Sequence, residues 1–303
     1  MNYSIVIPIY KRGDIIQNCL NSISEQSLKP CEIIIVDNNV ENKESNILKD
    51  NVNNFKLKNN INIRILSSPK NSGAIARNIG ASLSIGEIIA FLDSDVILDK
   101  DYYSVLINYF ERFDDLIAIQ GVDHSLIESQ KQVYKLNKLN KFLYKTEQFF
   151  ETSLIFNQKR PFVSPSLAVA HPNVLVDFEL DTEWISTCAC LIKKEIFERY
   201  SFPNQFITYS NNEYLFLSYS LFLNNEGRMI YTSKAKYRDI QTKTGRISSL
   251  ELKYQIQVYD LYIFIKLFKI NPTNLFIFIK SRVGHLLYNI FKLILEKKLS
   301  IKN

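Results

Sequence analysis

The sequence holds little of several residues that mark a class by themselves. Eight glycines in 303 residues exclude a collagen-like chain. Four cysteines (Cys19, Cys31, Cys188 and Cys190) are too few for a disulfide scaffold. None sits in a C-x-x-C pair, and three histidines supply no companion cluster, so no zinc site is expected. Cys188 and Cys190 fall on one face of a strand, and buried reduced thiols in a cytoplasmic protein are the plain reading. No run of about 18 apolar residues occurs, so no helix is expected to span a membrane. Met1-Asn2-Tyr3 leads straight into a strand-like segment, without the basic and apolar regions of a signal peptide. Charge of one sign is also scarce. Lys+Arg 37 against Asp+Glu 31 leaves +6, too diffuse to call for a nucleic-acid partner. What is present is an ordinary globular composition, 46% hydrophobic and 22% charged, with ample apolar matter for a core.

The first half alternates strand and helix. Residues 4–10 (SIVIPIY), 32–36 (EIIIV), 61–66 (INIRIL), 87–92 (EIIAFL) and 116–122 (LIAIQGV) are short apolar runs rich in Ile and Val, as buried strands are. Between them, Ile15, Ile16, Cys19, Leu20 and Ile23 draw one apolar stripe on a helix over 14–26. Residues 74–84 form a small-residue helix stopped at Gly86, and 101–113 an amphipathic one. Such alternation predicts an α/β fold, a mostly parallel doubly wound sheet. Beyond Asp123 the alternation stops. Strands are expected over 184–192 and 228–237, helices over 194–200 and 214–223, and only helices from Leu252 onward.

Ligands of such sheets bind beyond the carboxyl ends of the strands. Tyr10-Lys11-Arg12 follows the first strand, Asp37 the second and Asp93-Ser94-Asp95 the fourth, so the three segments should converge on one crevice. Alternation points Asp93 and Asp95 the same way, where two carboxylates can share a hard divalent cation that also takes phosphate oxygens. A turn followed by a helix N-cap uses the same residue types. Asn71-Ser72-Gly73 opens the helix carrying Arg77. Gly73 permits close backbone approach, and Arg77 suits a diphosphate or a neighbouring carboxylate; a plain loop and a solvated arginine is the competing reading. His124, His171 and His285 match no catalytic pattern and read as surface or packing residues.

The runs SIVIPIYKR from Ser4, VDNN around Asp37, NSGAIARNIGASLSIGEIIAFLDSD from Asn71 to Asp95, and WISTCACLIKKEIF from Trp184 carry a resemblance. Over residues 1 to about 235 the chain resembles the family 2 glycosyltransferases, with their glycosyltransferase A-type fold. The resemblance implies inverting transfer of a sugar from a nucleotide-diphosphate donor, with Mg²⁺ or Mn²⁺, to a glycan or lipid-linked acceptor in surface polysaccharide biosynthesis. It implies that Pro8, Ile9 and Tyr10 line the nucleotide, that Asp37 meets the base and Asp93 the ribose, and that Asp95, with Asp93 beside it, holds the metal. Asn71, Gly73 and Arg77 join this donor site, and Trp184 stands where acceptor-site segments begin. The family's catalytic base lies in a Glu-Asp pair. Here the text reads Ser210-Asn211-Asn212-Glu213-Tyr214, which leaves Glu213 as the acid for that role and departs from the pattern. Asp239 stands near the place of the family's later histidine.

This organisation divides the chain into a nucleotide-sugar-binding half (1–123), an acceptor-binding half (124–240) and a basic, apolar helical tail (241–303). From Leu252 the tail has nine lysines and arginines against Asp260 and Glu296. Apolar runs lie between them, as in helices that rest on an anionic membrane or pack on the catalytic body with a solvated basic face. The expected location is cytoplasmic, at the inner face of the cell membrane if the tail is an anchor. Two other readings stand beside the enzyme: a non-catalytic sugar-nucleotide binder, favoured by the altered Glu-Asp region, and a sugar nucleotidyltransferase, disfavoured by the lack of a glycine-rich loop after the first strand.

Overall fold

A computed structural model describes residues 1–300 apart from 40, 41, 60, 153, 154, 157, 158, 209–211, 241 and 243–249. Ser210 and Asn211 of the altered pair therefore lie outside the described residues, as does part of the tail. In chain order the elements are β1 (Tyr3–Ile9), α1 (Ile16–Ser24), β2 (Glu32–Asp37), α2 (Asn42–Lys58), β3 (Ile63–Ser67), α3 (Gly73–Ser82), β4 (Ile88–Leu92), β5 (Val96–Leu98), α4 (Tyr102–Arg112) and β6 (Leu116–Asp123). Then come α5 (His124–Tyr134), α6 (Lys138–Phe150), β7 (Glu179–Asp181), β8 (Ala189–Lys193), α7 (Lys194–Arg199), α8 (Glu213–Leu223), β9 (Arg228–Asp239), α9 (Leu250–Leu267) and α10 (Pro272–Ser300).

One sheet runs through the molecule in the order β3-β2-β1-β4-β8-β6-β9-β5, with β7 on β9. The four strands β1 to β4 are parallel, as the alternation predicts. The second half is more mixed than alternation alone implies. β8 lies antiparallel between β4 and β6, and β9 runs parallel to β6. The reason is topological. β6 does not pair with β4; the chain leaves it for a long excursion and returns as β8 from the opposite direction, filling the gap. Residues 184–188, expected as the start of that strand, instead form a loop ahead of it.

Both faces of the sheet are buried, so the strands read as unbroken apolar runs rather than alternating ones. Ile5 and Ile7 pack with α1 and α4 on one face, while Val6 and Phe91 pack with α3, α7 and α8 on the other. Each such side chain contributes about 1.5–3 kcal/mol by leaving water. α3 is set on the sheet by small residues. Ser72 caps its start, accepting from the Ile75 amide at 3.1 Å, and Gly80 faces the Val6 side chain with no room for a Cβ. The tail is packed on this body: Phe264 of α9 stacks on Phe278 of α10 at 4.4 Å, and Gly284 lies against Phe150 of α6.

Gly80→Ala forces a methyl into Val6 and is expected to lower stability by about 1–3 kcal/mol. Urea denaturation checks this; an unchanged midpoint would show that α3 does not depend on that approach.

Candidate functional site

The carboxyl ends of β1, β2 and β4 open into a crevice of about 260 Å³. Its walls include Pro8 and Ile9 at the end of β1 with Tyr10 after it, Asn71 and Gly73 before and at the start of α3, Arg77 one turn on, Asp93 after β4, and Glu213 at the start of α8. Two loops beside it carry residues in left-handed conformation, Lys11 (φ 52°) and Thr208 (φ 58°). Such backbone costs about 1–3 kcal/mol per residue and collects at binding sites. Both turns are tied down. The Lys11 amide donates to Asn39 Oδ1 at 2.7 Å, and Thr208 Oγ1 donates to Gln255 Oε1 of α9 at 2.7 Å.

At the centre stands Arg77. Its Nη2 donates to Asp93 Oδ1 at 2.7 Å and its Nη1 pairs with Glu213 Oε1. The arginine and Glu213 are both buried, while the Asp93 side chain is partly open to the crevice. Burial opposes the charge on Arg77, but the two carboxylates outweigh it and hold its pKa above the ordinary value. Gly73 makes room for the pair: a Cβ there would come within 3.0 Å of Arg77 Nη1 and 3.1 Å of Glu213 Oε1. Nearby Cys188 is no nucleophile at neutral pH. Burial, and then the Asp93 charge, push its thiol well above the usual range.

The crevice thus gathers Pro8, Ile9, Tyr10, Asn71, Gly73, Arg77, Asp93 and Glu213. Asp37, Asp95 and Trp184 are not among its lining residues. Asp37 is buried at the end of β2, where its Oδ1 accepts from the Asn39 amide at 2.9 Å, and the next residue, Asn38, reaches the wall. The Asp95 carboxylate is engaged on both oxygens. Its Oδ1 pairs with Arg12 Nη1 at 2.8 Å and its Oδ2 accepts from Thr242 Oγ1 at 2.9 Å. Trp184 is buried, its Nε1 donating to the Ala170 carbonyl at 3.3 Å and its ring packed on His171 and Tyr231.

Arg12 lines the wall too, as its place after the first strand predicts. Ser186, Thr187, Cys188, Thr208 and Tyr214, to which the sequence assigns no site role, complete it. The loop 186–188 arrives because β8 is antiparallel, which brings its amino end beside the carboxyl end of β4; the Asp93 amide donates to the Cys188 carbonyl at 2.9 Å. Composition carries no sign of that direction.

Removing the central cation leaves two carboxylates facing each other. Arg77→Met is expected to destabilise the protein by about 3–5 kcal/mol, and adding Glu213→Gln to recover part of that loss. Denaturant titrations of the single and double variants check this; a neutral single variant would show that the pair bears no weight.

Comparison with known proteins agrees with this architecture. The family model described as glycosyl transferase family 2 matches residues 4–174. The amylovoran biosynthesis glycosyltransferase AmsB of Erwinia amylovora is 32% identical over 134 residues, 44% of this chain and 42% of that protein. The chain therefore spans less than half the length of that relative. Among solved structures, GalNAc-T7 with UDP, GalNAc and Mn²⁺ superposes with a TM-score of 0.61 at 14% identity, over 86% of this chain and 48% of that one. The mannosyltransferase PcManGT from Pyrobaculum calidifontis, in complex with GDP-Man and Mn²⁺, gives 0.53 at 12% identity, over 99% and 80%. These likenesses fix the fold as glycosyltransferase A-type, and the family match extends over more than half of the sequence: the chain belongs to glycosyl transferase family 2.

Proposed function

We propose that the protein is an inverting glycosyltransferase. It moves a sugar from a nucleotide-diphosphate donor to a glycan or lipid-linked acceptor in surface polysaccharide biosynthesis. The observation that carries this reading is the row Asp93–Arg77–Glu213 across the crevice, which sets a donor-side acid and an acceptor-side acid on one guanidinium. Named ligands of the structural neighbours, UDP in one and GDP-Man in the other, support a nucleotide-sugar donor without choosing its base. Amylovoran biosynthesis, in the name of AmsB, supports the polysaccharide setting.

The donor's diphosphate suits the side of the crevice that holds Arg12 and Arg77. Pro8, Ile9 and Tyr10, which line the crevice, flank the nucleoside in this reading, with Asp37 behind Asn38 orienting the base-side loop. Carboxylate oxygens are the donors a hard cation takes, and the neighbours hold Mn²⁺, so Asp93 fits a role in carrying Mg²⁺ or Mn²⁺ with diphosphate oxygens as further ligands. Asp95 joins it only if Arg12 lets go. Among the described residues no cluster of three metal-binding side chains exists, so the donor itself must complete such a site. When bound, the cation neutralises charge on the leaving diphosphate. Glu213 acts as base on the acceptor hydroxyl, attacking from the face opposite the leaving group.

The tail supports work at the cytoplasmic face of a membrane. α10 turns Phe278, Ser281 and Gly284 inward and leaves Phe276, Ile279, Val283, Leu286, Leu287 and Ile290 exposed, an apolar face along the helix. Lys266 and Lys269 are exposed at the turn before it. A helix of this kind lies on anionic lipid. Among the described residues no helix is long and apolar enough to cross a membrane. All four cysteines are free, which suits a reducing compartment.

Two measurements test this reading. Glu213→Gln is expected to lower transfer by about 10²–10⁴-fold with donor binding retained, and a chelator to suppress transfer in the parent. Transfer equal to the parent removes Glu213 from the mechanism, and indifference to chelation removes the cation. Separately, the protein should float with phosphatidylglycerol-containing vesicles at low salt and be released by high salt or by Phe276→Asp with Leu286→Asp; a protein that dimerises instead and ignores vesicles refutes the membrane reading.

A further inference from the structure

A second cavity, of about 300 Å³, opens beside the crevice. Ser186, Cys188 and Tyr214 belong to both walls, so the two spaces adjoin, and Tyr214 follows Glu213 of the crevice directly in the chain. The floor of the second cavity is aromatic. Trp184, His171 and Tyr231 are buried there with ring centroids 4.9 to 6.2 Å apart, and the half-buried Tyr214 ring stands 6.3 Å from Trp184. Polar groups interrupt the rings and are held by backbone. Gln120 Oε1 accepts from the Ser186 amide at 2.7 Å, and Asp123 Oδ1 accepts from the Ser125 amide at 3.0 Å.

Charge separates the two spaces. Two arginines stand in the crevice wall, Arg12 and Arg77. Among the described residues no lysine or arginine lines the second cavity. Burial also keeps His171 neutral, its pKa pushed down to about 4. A phosphate would find no cation here and would face Asp123. An uncharged ring with apolar faces and hydroxyl edges finds aromatic surface and oxygen acceptors.

Building on the glycosyl-transfer reading, we infer that this cavity seats the acceptor, as an uncharged pyranose whose face lies on Tyr214, whose hydroxyls reach Asp123 and Gln120, and whose reacting hydroxyl passes the shared mouth to Glu213. Trp184 closes the floor behind it rather than stacking in the crevice. The charged portion of a lipid-linked acceptor stays outside.

Trp184 is the single tryptophan of the chain, so its emission reads the cavity directly. The full-length protein with Mn²⁺ is titrated with methyl and octyl glycosides of glucose, galactose, mannose and N-acetylglucosamine, and with glucose 6-phosphate. At least one neutral glycoside is expected to change the emission saturably, and glucose 6-phosphate at least tenfold more weakly. Ser129→Phe and Val169→Phe, at two partly buried positions in the cavity wall, are each expected to weaken that response about tenfold with melting temperature unchanged. The inference is overturned by silence to every neutral glycoside, by stronger binding of the phosphate, or by a response that survives both folded variants. A parallel melting-temperature assay with UDP- and GDP-sugars separates the two levels. If the shift is present while Trp184 stays silent, only the acceptor seat fails. If no nucleotide sugar shifts the melting temperature, the glycosyl-transfer reading itself fails.

Discussion

A guanidinium buried between two carboxylates organises the site. Burial disfavours the charge on Arg77, and Asp93 and Glu213 offset that cost; removing the arginine would leave the buried Glu213 facing Asp93 without a cation between them. The three residues come from α3, the end of β4 and the start of α8, so one electrostatic contact joins the parallel half of the sheet to the mixed half. That contact requires α3 to sit close to the sheet, which Gly80 permits, and its first turn to sit close to α8, which Gly73 permits. Two glycines in a chain with only eight therefore stand where backbone approach decides the geometry.

The tail helices belong to the same construction. Asn212, next to Glu213, donates to Asp260 Oδ1 of α9 at 2.8 Å, and Asp260 is paired in turn with Arg282 of α10. Gln255 of α9 holds Thr208 on the crevice rim, and the Tyr259 hydroxyl donates to the Gln205 carbonyl at 3.1 Å. The outer face of α10 is thus linked through buried polar contacts to the segment that presents Glu213. α9 thus braces the rim of the crevice, while α10 carries the exposed apolar residues.

Much of this is legible in the sequence because it depends on local pattern. The apolar runs ending at Tyr10, Val36 and Leu92 locate the strand ends, and topology then places the residues just past each end near one crevice. Tyr10 and Asp93 share its wall for that reason. The features that escape depend on direction and distance. No pattern says that β8 enters antiparallel, so the resemblance carried by the run around Ser186 and Cys188 does not place them in the crevice wall. Alternation likewise gives no sign that Arg12 and Thr242 take both Asp95 oxygens. The resemblance sets Trp184 where acceptor-site segments begin; its indole packs on His171 and Tyr231 in the wall of the second cavity, a placement no local pattern gives.

The central claim is that the crevice beneath Arg77 receives a nucleotide-diphosphate sugar with Asp93 at the diphosphate. Titration calorimetry of UDP-, GDP- and dTDP-sugars into the protein, with and without Mn²⁺, tests it most directly. The account predicts binding of at least one donor, strengthened by Mn²⁺ and lost in a folded Asp93→Asn variant. Failure of every donor to bind, or binding that ignores both the cation and the substitution, would contradict it.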